Sequence, residues 1–234
     1  MREVIPLADV LASRSYPGRG CLAACSASGD LMLSYFLTGR SEASRARSIR
    51  ARADGDIEIA GRSAEQDSLR HYVAAARRGE WLVVGNGSQV VPVAEELAKS
   101  GDVAQAWGPH TYEPDPPIFT PRVWMAWHST RRLLIGQARR SSRADGGPDR
   151  VAWLVEEIPP GNGVLLTTYT GTVDDVVTST EPVDVEVSFQ TPAELSEAIW
   201  QCLEPAVRVG CFVVDATGAQ EGFRRASDPE GREG

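Results

Sequence analysis

Long apolar runs are missing from this 234-residue chain. None approaches the roughly 20 residues that a membrane-spanning helix needs. The N-terminal stretch also has no apolar segment of the kind that directs secretion. The expectation is a cytoplasmic protein with no membrane partner. Metal-ligand sets are missing as well. The histidines, His71, His110 and His128, are scattered, and Cys21 and Cys25 stand four apart with no paired histidine or second cysteine pair after them. That spacing alone does not make a zinc site, so no metal and no cofactor are expected. With Cys202 and Cys211, these cysteines read most simply as buried free thiols. Net positive charge is absent too: the formal charge is −8, which argues against a nucleic-acid partner. No internal repeat is visible. Methionine is scarce at 3 against 6 tryptophans, which suggests a core or pocket with flat, rigid walls.

What is present fits a soluble globular protein, with 42% hydrophobic and 24% charged residues. The length suits one domain with a large core, here read as residues 1–216. Residues 217–234, with one aromatic, four glycines and many charges, read as a frayed tail. Positive charge is gathered locally. Arg40, Arg45, Arg47, Arg50 and Arg52 are opposed only by Glu42, and Arg131, Arg132, Arg139, Arg140 and Arg143 follow one another with no acid between them. Such clusters suit a small anion such as a phosphate ester, although each alone reads more readily as a solvated charged face.

Thr111 to Arg122 holds four prolines, two acids and an arginine. Proline fixes φ and removes a backbone donor, so this is a rigid extended loop, able to hold Tyr112, Glu113, Asp115 and Arg122 beside a ligand. Around it the chain reads in order. Residues 3–12 form a short helix or strand. Cys21–Cys25 and Leu31–Leu37 make a hairpin, and Arg47–Arg52 with Asp56–Ala60 a second one. Asp67–Arg78 has Leu69, Tyr72, Val73 and Ala76 at helical spacing and predicts a helix. Trp81–Val84 is a buried strand leading through Gly85–Gln89 into a helix over Gln89–Lys99, a geometry that suits an anion. Strands follow over Val123–Trp127, Leu133–Ala138, Val151–Glu157 and Val164–Tyr169, with Ser141–Arg150 a polar, mobile loop. Thr191–Glu194 is a capping box opening a helix to about Leu203, and Val209–Val214 is the closing strand. This order is not regular strand–helix alternation. An α+β domain with largely antiparallel sheets covered by helices fits better.

Four loops carry a resemblance. Tyr16-Pro-Gly-Arg-Gly20, Gly39-Arg-Ser-x-x-Ser-Arg45, Asn86-Gly-Ser-Gln89 and Tyr112-Glu-Pro-Asp-x-x-x-x-Thr-Pro-Arg122 resemble, in order and spacing, the archaeal-type IMP cyclohydrolase family. Gly161-Asn-Gly163 with Thr168-Tyr169, and Ser68-Leu-x-x-Tyr72, are similar to further stretches of it. The resemblance spans roughly residues 14–190. It implies a four-layer αββα sandwich like that of the N-terminal nucleophile (Ntn) hydrolases without their nucleophile. It also implies a step of purine biosynthesis, closure of a formylated aminoimidazole carboxamide ribotide to IMP, with no cofactor or metal. Carried onto matching positions, Arg40 would polarise the formyl or amide oxygen, Glu113 would shuttle protons, and Tyr112, Tyr72 and Asn86 would orient substrate. Arg19, Arg45 and Arg122 would bind phosphate or pair with Glu113, and Tyr169 joins the substrate-binding set. The partner is then a phosphorylated ribotide. The oligomeric state is left open, a homo-oligomer included.

Two departures stand out. The bacterial Asn-Gly-Asp-Gln-Thr-Asp stretch becomes Asn86-Gly-Ser-Gln-Val-Val-Pro92, and His-Thr-Tyr becomes Thr167-Thr-Tyr169. Val90 and Val91 are expected to make the site less polar. That keeps open a diverged formamide cyclodehydratase forming another heterocycle in a specialised-metabolite pathway. A non-catalytic nucleotide-binding relative is disfavoured, because Arg40, Tyr112 and Glu113 all persist.

Overall fold

The computed structural model describes residues 3–61, 71–130, 132–143, 146–215 and 220–225. The first sheet contains β1 (Ile5–Pro6), β2 (Arg19–Cys25), β3 (Leu31–Thr38), β11 (Asn162–Thr167), β12 (Val183–Glu186), β13 (Arg208–Asp215) and β14 (Gln220–Arg225), in the order β1-β12-β11-β2-β3-β13-β14. The second is β10-β9-β8-β7-β6-β5-β4, built from β4 (Ser48–Ala51), β5 (Ile57–Ala60), β6 (Tyr72–Arg78), β7 (Trp81–Gly85), β8 (Arg122–His128), β9 (Leu133–Arg140) and β10 (Pro148–Val155). Every pairing is antiparallel except β1 with β12.

The strands read as continuous apolar runs because both of their faces are buried. Along β2 and β3, Cys21, Ala23, Leu33, Tyr35 and Leu37 enter the core between the sheets, where they meet Val84, Met125 and Ile135. Their alternates Leu22, Ala24, Met32 and Phe36 face outward onto α1 (Leu7–Ala12) and α5 (Pro192–Cys202), against Leu11, Leu195 and Ile199. On the far side, α3 (Val90–Ser100) and α4 (Val103–Trp107) cover Val83, Trp124 and Ala126 of the second sheet. The layers are therefore helix, sheet, sheet, helix, an α+β sandwich of the expected kind.

The helix ends follow their caps. Thr191 Oγ1 accepts from Glu194 N–H at 3.2 Å, and Glu194 reaches back to Gln190 N–H at 2.7 Å. Gly101 ends α3 at φ 68° with its N–H on Leu97 O. The helix α4, capped by Asp102, was not foreseen.

Three expectations are corrected. Tyr72–Arg78 is strand β6, not helix, and Asp67–Arg70 lies outside the described residues. Its alanines favour a helix in isolation, but here they lie between β5 and β7, Ala74 and Ala75 in the core between the sheets and Ala76 against α3. Pro148–Arg150 belong to β10, so the loop expected over Ser141–Arg150 is shorter. Val209–Val214 lies in β13 but does not close the chain. β14 pairs with it inside the stretch expected to fray, and residues 226–234 lie outside the described residues.

Candidate active site

The topology gathers the four motif loops. Tyr16–Gly20 enters β2 and Gly39–Arg45 leaves β3, which are hairpin partners, so both loops sit at one end of the first sheet. Asn86–Gln89 leaves β7 and Thr111–Pro121 enters β8, likewise at one end of the second. Thr167 at the end of β11 pairs with Gly20, bringing Thr168 and Tyr169 to the same place.

Each loop is fastened by specific contacts. Gly18 has φ +72°, and a Cβ there would fall 2.2 Å from Thr168 Oγ1 and 2.5 Å from the Tyr169 ring, so only glycine fits. Thr168 Oγ1 accepts from Arg19 N–H at 3.1 Å and donates to Pro17 O at 3.2 Å. In the proline-rich loop, which is indeed irregular, Asp115 accepts from the amide and the hydroxyl of Thr120, and Glu113 N–H donates to Thr120 O. The Thr120 hydroxyl accepts from Tyr169, which ties the loop of the second sheet to the first. Fully buried Asn86 accepts from Val123 N–H at 2.6 Å and donates to Pro121 O at 3.0 Å.

Between these loops is a cavity of about 250 Å³, bordered by Arg19, Arg40, Arg47, Glu113, Asp115 and Tyr169 among others. At its floor Glu113, 1% exposed, receives Arg19 Nη2 on both carboxylate oxygens at 3.2 and 2.9 Å, and Asn86 Nδ2 on one at 3.3 Å. Burial pushes Glu113 above the usual carboxylate range. Arg19 opposes that shift and Asp115 adds to it. For Arg19 burial works against the charge, but the Glu113 carboxylate together with Tyr72, Tyr35 and Tyr169 outweighs it and holds the guanidinium firmly protonated. Arg19 Nε is buried with no partner among the described residues.

Two more guanidiniums face the same space. Buried Arg47 donates to Ser44 O at 2.8 Å and Thr38 O at 2.9 Å, and exposed Arg40 donates to Val173 O at 3.3 Å beside the Tyr16 ring. Neither meets a carboxylate within ion-pair distance among the described residues. Against them stand Asp115, already bonded to Thr120, and Glu113, already paired with Arg19. The cavity therefore has cationic capacity left for an anion.

Of the sequence candidates, Arg19, Arg40, Glu113 and Tyr169 border this cavity, and Asn86 touches Glu113 directly. The others do not border it. Tyr72 is buried, with its hydroxyl on that of Tyr35 at 2.6 Å. Arg45 donates to Arg40 O at 2.8 Å and so braces its own loop. Arg122 donates to Ser88 Oγ at 2.9 Å and Gln89 Oε1 at 2.8 Å. Tyr112 donates to Gly146 O at 2.7 Å and packs edge-on against Phe119. Arg47 and Thr120 were missed as site residues. No local pattern marked Arg47 out from Arg45, because α2 (Glu42–Arg45), a short helical turn, ends between them and sets their directions. Val90 and Val91 do not line the cavity either. They form the first turn of α3 and pack with Val93 and Leu97 toward the second sheet, so they do not make this cavity less polar.

A larger cavity of about 760 Å³ lies on the outer face of the second sheet, walled by Trp81, Leu97, Leu134 and Leu154. No buried acid borders it.

Fold and site together define a two-sheet αββα protein with an arginine-rich pocket, closed at one end around a buried carboxylate. A family model described as IMP cyclohydrolase-like protein matches residues 16–220, and the chain belongs to that family. A comparison with curated proteins gave no match.

Proposed function

We propose that the chain is a cyclohydrolase that closes a formamide onto a neighbouring carboxamide, converting 5-formamidoimidazole-4-carboxamide ribotide to IMP. Family membership supports the cyclohydrolase-like kind of activity. The observation that carries the finer reading is the buried Glu113–Arg19 pair in a cavity that also holds Arg40 and Arg47 without carboxylate partners.

The chemistry asks for three things. The carboxamide nitrogen attacks the formyl carbon, a C–N bond forms, and the formyl oxygen becomes an oxyanion that needs donors. That role is given to Arg19, which borders the cavity beside Glu113. One proton must leave the carboxamide nitrogen and one the formamide nitrogen, and both depart with that oxygen as water. Glu113 is the base and acid for these transfers, and its upward shift brings it closer to working pH. The phosphate needs cations, and exposed Arg40 and buried Arg47, both bordering the cavity, would supply them. The role given to Arg40 thus moves from polarising the formyl oxygen to holding the phosphate. No feature of the cavity favours a different heterocycle, since Val90 and Val91, in the first turn of α3, do not border it.

Calorimetry with IMP tests the assignment. Micromolar binding is expected, weakened by about 1.5–3 kcal/mol in Arg47→Ala, the value of a hydrogen bond to a charged group. Arg45→Ala, which removes only a brace on Arg40 O, should weaken it less. Undetectable IMP binding by folded protein would reject the purine substrate.

A further inference from the structure

The second sheet has two edges, β4 and β10. Strand β4 is four residues long and lies against β13 and β14 of the first sheet. Strand β10 is eight residues long, and its register with β9 runs unbroken over eight pairs, with no bulge. Its other side has no strand partner among the described residues. Long, flat edges invite pairing with another strand, and proteins ordinarily blunt them with bulges or cover.

The side chains of β10 alternate. Val151, Trp153 and Val155 lie opposite Gln137, Ile135 and Leu133, with Trp153 and Val155 packed onto the inter-sheet core. Arg150, Ala152 and Leu154 lie on the outer face and are exposed, Leu154 at 61%. Leu154 also walls the outer 760 Å³ cavity, together with Trp81, Leu97 and Leu134. An apolar strip on an unpaired edge leaves both backbone groups and surface unmatched.

We propose that β10 pairs antiparallel with β10 of a second copy of this chain, about a two-fold axis at Trp153, so that one sheet runs continuously through a symmetric dimer. The choice of occupant and register comes from self-complementarity. A two-fold interface must match itself, residue i to residue j and j to i. With the axis at Trp153, Val151 faces the second copy's Val155, Ala152 its Leu154 and Arg150 its Glu156, each pair occurring twice. Opposite charges directly across strands are favourable and apolar pairs bury each other. Shifting the axis to Ala152 sets Arg150 against Leu154 and Asp149 against Val155, which leaves charges facing apolar side chains. The Trp153 register brings Asp149 near Glu157, but Arg143 already holds Asp149 at 2.8 Å.

Sedimentation of the full chain, with circular dichroism to confirm folding, tests this. The expected mass is twice the chain's 25.3 kDa. Arg150→Glu or Glu156→Arg alone places like charges across the axis twice, and each should raise the dimer dissociation constant at least tenfold. The double variant Arg150→Glu/Glu156→Arg should restore the wild-type value. Leu154→Lys, remote from the Arg150 contact with His110 O, should also give monomer. A wild-type monomer at all concentrations, a dimer indifferent to these changes, or a double variant that stays dissociated would each overturn the proposal. So would a monomer whose β10 instead captures an extended peptide of another protein.

Discussion

Replacing Arg19 by Met removes the cation from the buried pair while nearly preserving volume. Glu113 would keep Asn86 Nδ2 at 3.3 Å but lose both Arg19 contacts, at 3.2 and 2.9 Å, and with them its one ion-pair partner among the described residues. Removing one partner of a buried ion pair costs about 3–5 kcal/mol. For a chain of this length each kcal/mol moves the melting temperature by roughly 2–4 °C, so a fall of about 6–20 °C is expected at neutral pH. The effect must depend on pH. Glu113 already has its folded pKa raised by burial, and without Arg19 it rises further. A carboxyl with a raised folded pKa favours the fold at low pH, and that contribution is lost as pH rises through the folded value. The penalty of Arg19→Met should therefore be large at pH 8 and shrink toward pH 5, where the carboxyl can be neutral. Thermal unfolding at both pH values measures this. Arg19→Lys, which keeps the charge without the fork, should fall between Met and wild type. An equal loss at both pH values, or no loss, would refute the reasoning that an ion pair joins the two sheets here.

Other expectations follow from the same contacts. Glu113→Gln should cost about 3–5 kcal/mol of stability, because buried Arg19 keeps its charge and loses its carboxylate partner, and where it stays folded it should lose about 10²–10⁴-fold in turnover, the range for a general acid–base residue. Near-wild-type turnover would remove Glu113 from the mechanism. The pH–rate profile should rise with pH along a limb centred above the ordinary carboxylate range, since the base form of Glu113 is required and its pKa is raised. A limb at the ordinary position would mean that another group is titrating. Gly18→Ala should destabilise by about 1–3 kcal/mol through overpacking, as its Cβ would fall 2.2 Å from Thr168 Oγ1. Unchanged denaturant midpoints would show that the turn can relax.

The fold was legible where local chemistry and packing agree. The apolar strands β2, β3, β7 and β8 and the capped helices α3 and α5 were readable from their patterns and caps. Strand β6 was not, because Tyr72-Val-Ala-Ala-Ala76 carries helical spacing and alanine's helix preference, and only its place between β5 and β7 decides otherwise. At the site, the loops were visible as proline, glycine and arginine motifs, and the hairpin connections explain why they meet. Which way each arginine points was not visible. Arg45 and Arg47 differ by two residues, yet one braces Arg40 O at the surface and the other borders the cavity. That difference comes from a short helical turn capped by Ser41, which no arginine count can show.

The most direct measurement of the central claim is turnover of 5-formamidoimidazole-4-carboxamide ribotide, followed by the absorbance of the closed purine ring. Wild-type protein should release IMP, and the Glu113→Gln variant, still folded and still binding IMP, should release it at least 10²-fold more slowly. Wild-type protein that binds the ribotide without closing it, or closure that proceeds unchanged in Glu113→Gln, would contradict the assignment of the Arg19–Glu113 cavity as a cyclohydrolase site.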